Sequence, residues 1–155
     1  MSNDRHSSID GYTTRVDQTL DAARAAEVAK RHASGYRTAR ENLADLIDAD
    51  SWVEYGQFAV AAQRSRRNID DLVAKTPGDG VVTGLATINA AQFGASQSQA
   101  AVVINDYMVL AGTQGFFHHR KIDRLLEVAI QRRLPVVMYT EGGGGRPGDT
   151  DVTTQ

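Results

Sequence analysis

Leu134-Pro-Val-Val-Met-Tyr139 runs straight into Thr140-Glu-Gly-Gly-Gly-Gly-Arg146-Pro-Gly-Asp-Thr150. The apolar, β-branched segment predicts a buried strand, and the glycine run predicts a loop at its end. Each glycine costs roughly 0.5–1 kcal/mol more to order than alanine in a regular element. A fold retains four in a row where side chains would block a ligand or where φ must be positive. Bare N–H groups at a strand end can face negative charge, so the run reads as an anion or oxyanion loop. A purely structural flexible loop is the plainer reading.

Other glycine-loop chemistries fit less well. Gly143 to Gly148 has P-loop spacing, but Asp149 stands where lysine is required and would repel phosphate. Gly143, Gly145 and Gly148 satisfy a Gly-x-Gly-x-x-Gly pattern, but no early βαβ unit accompanies it. Glu141 and Asp149 flank the run and are expected to cap backbone N–H groups or pair with Arg146. The adjacent His118 and His119 would diverge by about 100° on a helix, so they read as a helix-start or surface pair rather than a metal site. No metal-ligand spacing and no Gly-x-Ser-x-Gly elbow occurs. Chemistry without a side-chain nucleophile remains, such as stabilising a thioester enolate by backbone donors.

Outward from the loop, Ile122, Leu125, Leu126, Ala129 and Ile130 mark one face of an amphipathic helix that Pro135 closes. Val81–Ile88 and Ala100–Asn105 read as strands, the second buried on both faces, with a hairpin connection or surface loop at 89–99. Thr76–Gly80 is a turn by composition, and Asp106–Gly115 a glycine-punctuated loop. Trp52–Gln57 reads as a short strand, and Phe58–Ala74 is ambiguous. Thr38-Ala-Arg-Glu41 carries a capping-box pattern ahead of Leu43, Leu46 and Ile47. Asp17–His32 predicts a helix ended by Gly35, and residues 1–13 read as polar and weakly held.

In order and spacing, several of these segments resemble the carboxyltransferase subunits of biotin-dependent acyl-CoA carboxylases. They are Thr38-Ala-Arg-Glu41, Ser51-Trp-Val-Glu54, Pro77 to Gly84, Asp106-Tyr-Met-Val-Leu-Ala-Gly112-Thr-Gln-Gly115, the trio His119, Lys121 and Ile122, and Glu141 to Arg146. The resemblance runs from about His32 to the chain end. It implies an α/β fold, an incomplete crotonase/ClpP-like spiral of ββα units. It divides the chain into an N-terminal tail and helix (1–31) and the N-terminal part of a carboxyltransferase domain (32–155). The implied reaction moves a carboxyl group from carboxybiotin to the α-carbon of an acyl-CoA through an oxyanion-stabilised enolate. Gly143 and Gly144 would form the oxyanion hole, and Ala111, Gly112, Gly145 and Arg146 would line the substrate pocket. Gly142 and Gly145 stand where the common pattern has serine and alanine, as in large multidomain acyl-CoA carboxylases.

The implied cofactor is biotin on a carrier, since no biotin-attachment sequence is present. The implied partners are biotin carboxyl carrier and biotin carboxylase components, in a homo-oligomer. The second half of the family's site is missing from the sequence, so the chain alone is expected to be inactive and marginally folded. The alternatives are a biotin-independent crotonase-like enzyme or decarboxylase and a non-catalytic interaction module.

The bulk numbers agree with one soluble domain. The chain has 155 residues, 41% hydrophobic and 23% charged, enough for one core. A net charge of −2 argues against nucleic-acid binding, and Arg64, Arg66 and Arg67 read as a solvated face. There is no cysteine, no apolar run long enough to span a membrane and no apolar leader, so a cytoplasmic location is expected.

Overall fold

The computed structural model describes residues 3–149. Its centre is a four-stranded mixed sheet in the order β1-β2-β3-β4. The strands are β1 (Val53–Glu54), β2 (Val81–Thr87), β3 (Gln99–Asn105) and β4 (Val136–Tyr139). β2 and β3 form an antiparallel hairpin in which Val81 faces Asn105 and Thr87 faces Gln99. β4 lies parallel to β3, with Ala101 opposite Val136 and Ile104 opposite Tyr139. The connection from β3 to β4 passes through helix α6 (Phe116–Arg132). That hairpin-helix-strand sequence is the ββα unit expected for a crotonase-like α/β fold.

The sheet has two covered faces. On one, Val81, Ala101 and Val103 pack with Leu125 and Ala129 of α6. On the other, Val82, Val102 and Ile104 pack with Ala39 and Leu43 of α3 (Ala39–Leu46). Successive residues of a strand point to opposite faces, so β3 needs apolar side chains at every position to fill both. Residues Ala100 to Ile104 are all buried.

Local signals account for several elements. Thr38 Oγ1 accepts from the Glu41 N–H and the Glu41 carboxylate accepts from the Thr38 N–H, a complete capping box at α3. Arg40, in the first turn, reaches Glu54 of β1 with both Nη atoms, at 2.5 and 2.9 Å. Asn68 caps α4 (Ile69–Lys75), which resolves the ambiguous 58–74 region. A single helical turn, α5 (Ala90–Phe93), sits in the connection between β2 and β3.

Other expectations are corrected. Residues Asn3–Asp17 form a helix, α1, rather than a weakly held tail. Its contacts are distant in sequence: Tyr12 meets Phe58 edge-on at 5.7 Å, and Arg15 stacks over the same ring. The predicted 17–32 helix is split by a 3-10 turn, Asp21–Arg24, leaving α2 as Ala25–Ala33. β1 is shorter than 52–57 because the chain turns away at Gly56, where φ is +66°. The buried face of α6 includes His118, Lys121 and Val128, while Ile130 is 77% exposed. β4 is not a buried strand: Val136, Met138 and Tyr139 are 37–45% exposed. It is the edge of the sheet among the described residues, and the second pleat surface finds no covering layer there. Within the described residues no helix is long and apolar enough to cross a membrane.

Candidate functional site

Because β3 and β4 run parallel, the loops that follow them leave the sheet on the same side. Such C-terminal strand ends are where open α/β sheets gather their ligands. The first loop, 106–115, curls through three consecutive left-handed residues, Leu110, Ala111 and Gly112, at φ of 49°, 54° and 64°. Left-handed backbone costs a non-glycine residue about 1–2 kcal/mol, so strain is concentrated here. The curl drives the first loop into the glycine run. A Cβ on Gly112 would lie 2.3 Å from the Glu141 carbonyl oxygen, and one on Gly142 would lie 2.2 Å from the Gly112 oxygen. Glycine is required at both because the two backbones cross in contact.

The run is stitched along its length. Asn105 Nδ2 donates to the Glu141 oxygen at 3.1 Å. The Gln114 N–H donates to the Gly144 oxygen, and the Arg146 N–H donates to the Gln114 oxygen, each at 2.8 Å. The N–H groups of Gly142, Gly143 and Gly144 have no hydrogen-bond partner among the described residues. Nor does packing demand glycine at 143, where an added Cβ would meet only Thr113 Cγ2 at an ordinary 3.7 Å. Gly144 has φ of +104° and open space around it.

Two concavities adjoin this loop. A groove of about 530 Å³ runs between α2 and the 106–115 loop, lined by Lys30, Arg31, Tyr36, Tyr107, Met108, Ala111 and Glu141 among others. The Arg31 guanidinium is stacked between the rings of Tyr36 and Tyr107, 4.7 and 5.1 Å from their centroids, and pairs with the Glu141 carboxylate. Beside it is a recess of about 190 Å³ lined by Asn105, Gly112, Gln114, Thr140, Glu141, Gly142 and Gly144. Glu141 borders both.

Beneath the loop lies a buried charged layer. Arg146 is 10% exposed. Its Nη2 donates to Asp79 Oδ1, its Nε to Asp149 Oδ2 at 2.9 Å, and its Nη1 to the Thr113 oxygen at 2.5 Å. Gly115 lacks a side chain because a Cβ there would sit 1.9 Å from Arg146 Nη2. The fully buried Asp79 also accepts the His118 N–H at 2.7 Å. His118 Nδ1 lies 3.1 Å from the Asp79 carbonyl, which can only accept, so Nδ1 carries the proton. Burial pushes the His118 pKa down to about 4, so the ring is neutral at pH 7. Lys121 donates to the carbonyls of Gly78 and Val81, and burial lowers its pKa to about 8.

The expected site residues therefore divide. Ala111 lines the large groove, Gly112 and Gly144 line the recess, and Gly143 sits between them on the loop. Gly145 bridges to Gln114. Arg146 lies apart from the groove, with its guanidinium turned into the charged layer. Asp149 pairs with it as expected, whereas Glu141 pairs with Arg31 instead. His118 and His119 stand in the first turn of α6, a helix-start pair as expected, in which His118 is buried and His119 exposed. Arg66 is 54% exposed on its side chain, in keeping with a solvated face, and it also donates to the Gly148 oxygen at 2.7 Å. Asp79 and Arg31 escaped the sequence reading; Asp79's one signal was its place between two glycines. Among the described residues, no three His, Asp or Glu side chains gather as a metal site.

Comparison with known proteins bears on this geometry. The carboxyl transferase domain family matches residues 30–152. The biotin-dependent acetyl-/propionyl-coenzyme A carboxylase beta5 subunit of Mycobacterium tuberculosis is 35% identical over 133 residues, 85% of this chain and 22% of the relative. The methylmalonyl-CoA decarboxylase subunit alpha of Veillonella parvula is 35% identical over 119 residues, 77% of this chain and 21% of the relative. The solved structure of a single-chain, multi-domain long-chain acyl-CoA carboxylase is 55% identical, with a TM-score of 0.89. That match covers 94% of this chain and 15% of the other. The chain spans about a fifth to a quarter of the length of the curated relatives. It belongs to the carboxyl transferase domain family.

Proposed function

From that membership we propose that this chain supplies the acyl-CoA side of a carboxyltransferase, which adds a carboxyl group to the α-carbon of an acyl-CoA thioester. The observation that carries the reading is the glycine run. The loop is tied at the Glu141 and Gly144 carbonyls, yet the N–H groups of Gly142, Gly143 and Gly144 find no partner within the described residues. A pre-set row of donors lowers the energy of an oxyanion without reorganising as charge develops. Removing an α-proton from a thioester puts negative charge on the thioester oxygen. In this reading Gly143 and Gly144 hold that oxygen and Ala111 and Gly112 wall the acyl pocket. Lys30, exposed along the groove, offers cationic charge to the phosphates of coenzyme A, while Arg31 is held by Glu141 and the two tyrosine rings as part of the groove wall. Gly145 and Arg146 act one step back, holding the loop rather than the substrate.

Relatives named as biotin-dependent point to carboxybiotin as the carboxyl donor. The chain itself does not fit biotin as a second guest. The recess beside the glycine run is about 190 Å³, and the same donors cannot serve a thioester enolate and a ureido oxygen together. The donor is therefore assigned to another chain or another part of a longer protein, together with carrier, biotin carboxylase and further copies of the domain.

The test is Gly143→Val in the longest natural protein that contains this chain. The valine keeps the backbone N–H but its side chain keeps the thioester oxygen away from it, so acyl-CoA carboxylation is expected to fall about 10²–10³-fold, the loss usual when an oxyanion donor is withheld, with the melting temperature unchanged. Undiminished carboxylation would sink the assignment. A second reading, decarboxylation of an acyl-CoA, passes through the same enolate and is favoured by the decarboxylase among the relatives. Avidin separates a biotin-dependent reaction, which it blocks, from a biotin-free one.

A further inference from the structure

We propose that Asp79 and Arg146 form a buried latch that sets the glycine loop, Asp79 acting as a positioning residue through Arg146. The inference rests on the functional reading above and concerns how its donors are held.

Asp79 sits in a turn of three left-handed residues, Gly78, Asp79 and Gly80, at φ of 62°, 51° and 78°. Asp79 is not a free choice for such a backbone, since a non-glycine residue there is strained. The turn is held from behind by Lys121, which donates to the Gly78 and Val81 carbonyls. The conformation presents one buried carboxylate to two elements. Oδ2 accepts the N–H of His118 in the first turn of α6, a helix whose own N-cap, Gly115, has no side chain to offer. Oδ1 accepts from Arg146 Nη2.

Arg146 then spreads over three segments. Its guanidinium touches the 77–80 turn through Asp79, the 113–115 loop through the Thr113 carbonyl, and its own loop through Asp149. Asp149, 1% exposed on its side chain, is held in turn by Gln63 at 2.7 Å and by Arg66 at 3.5 Å. A planar fork with donors in fixed directions suits this three-way role, and a lysine point charge does not. The consequence is mechanical. The glycine run has no side chains to pack, so its position depends on Asn105 at its start, Gln114 in its middle and this pair at its end. The sheet core, built from different residues, does not depend on the pair.

Hydrogen exchange read by mass spectrometry on the full chain tests the latch without any ligand. The reporters are the Gln114 and Arg146 amides, whose bonds join the two loops, and β3 amides are the control. Arg146→Met is expected to speed exchange of the loop amides at least about tenfold, the factor for losing one charge-assisted hydrogen bond. The β3 amides should stay unchanged, and Arg146→Lys should restore only part of the protection. Asp79→Asn, which keeps an oxygen for His118 but loses the charge, should act in the same direction. Unchanged loop amides in both Arg146→Met and Asp79→Asn would overturn the proposal. So would an equal rise in β3, which would mark the pair as general stabilisation. If a non-hydrolysable acyl-CoA analogue fails to protect the wild-type loop, the functional reading fails while the latch is still decided by the exchange data.

Discussion

Alanine at Gly112 is the sharpest test of the crossing that shapes the candidate site. Two effects add there. The backbone φ of +64° costs an alanine about 1–2 kcal/mol. The new methyl would also lie 2.3 Å from the Glu141 carbonyl oxygen, roughly 1 Å inside ordinary contact, and the obstacle is backbone rather than a side chain that can swing away. Overpacking of that kind adds about 1–3 kcal/mol. The expected loss is about 2–5 kcal/mol, or a fall in melting temperature of roughly 5–15 °C for a chain of this size. Gly142→Ala meets the same crossing from the other side, so the double variant should cost less than the two singles together. Gly143→Ala is the internal control. Its methyl would find only Thr113 Cγ2 at 3.7 Å and its φ is not left-handed, so a change within about 0.5 kcal/mol is expected. Melting followed by circular dichroism decides. If Gly112→Ala melts within about 1 °C of wild type, or Gly143→Ala falls as far as Gly112→Ala, the crossing does not constrain the loop as argued.

Thr38→Ala removes the acceptor for the Glu41 N–H and should cost about 1–2 kcal/mol in denaturant titration, with Thr38→Ser retaining most of it; equal loss in both would discredit the cap. His118 has its folded pKa at about 4, below its unfolded value of 6.5. Between those values the unfolded chain takes up the proton first, so stability falls as pH falls from 6.5 towards 4, by up to roughly 3 kcal/mol. Asp79, whose carboxyl burial pushes up against the pull of Arg146, opposes part of that loss. His118→Asn should flatten the acid limb of the stability profile, and an identical slope in both proteins would contradict the assignment. The open face of β4 predicts self-association of the isolated chain, reduced by Met138→Lys at this 45% exposed position. Sedimentation showing a monomer with a sharp, reversible melt before any substitution would refute that.

What the sequence determined by itself is what depends on neighbours within a few positions. The Thr38–Glu41 capping box spans three residues, and both of its bonds are formed. The unbroken apolar run at 100–104 needed two covering layers, which α3 and α6 supply. The glycine run after β4 announced a loop of exposed main chain, and the carboxyltransferase resemblance rested on motifs of this local kind. Tertiary structure decided the rest. Asp79 and Arg146 stand 67 positions apart, and no periodicity links them. Leu110 and Ala111 adopt left-handed backbone though neither is glycine, in a curl that brings Gly112 into contact with Gly142. His118 read as a helix-start or surface residue; the helix start was legible locally, but its burial against Asp79, 39 positions away, was not. β4 is as apolar as a core strand, yet its burial depends on whether another layer covers it. Helix α1 shows the converse, a polar stretch fastened through Tyr12 and Arg15 to Phe58. Hydrogen bonds within a turn are encoded where they form. Burial and charge pairing between distant segments belong to the surface each residue meets, which exists only once the chain has folded.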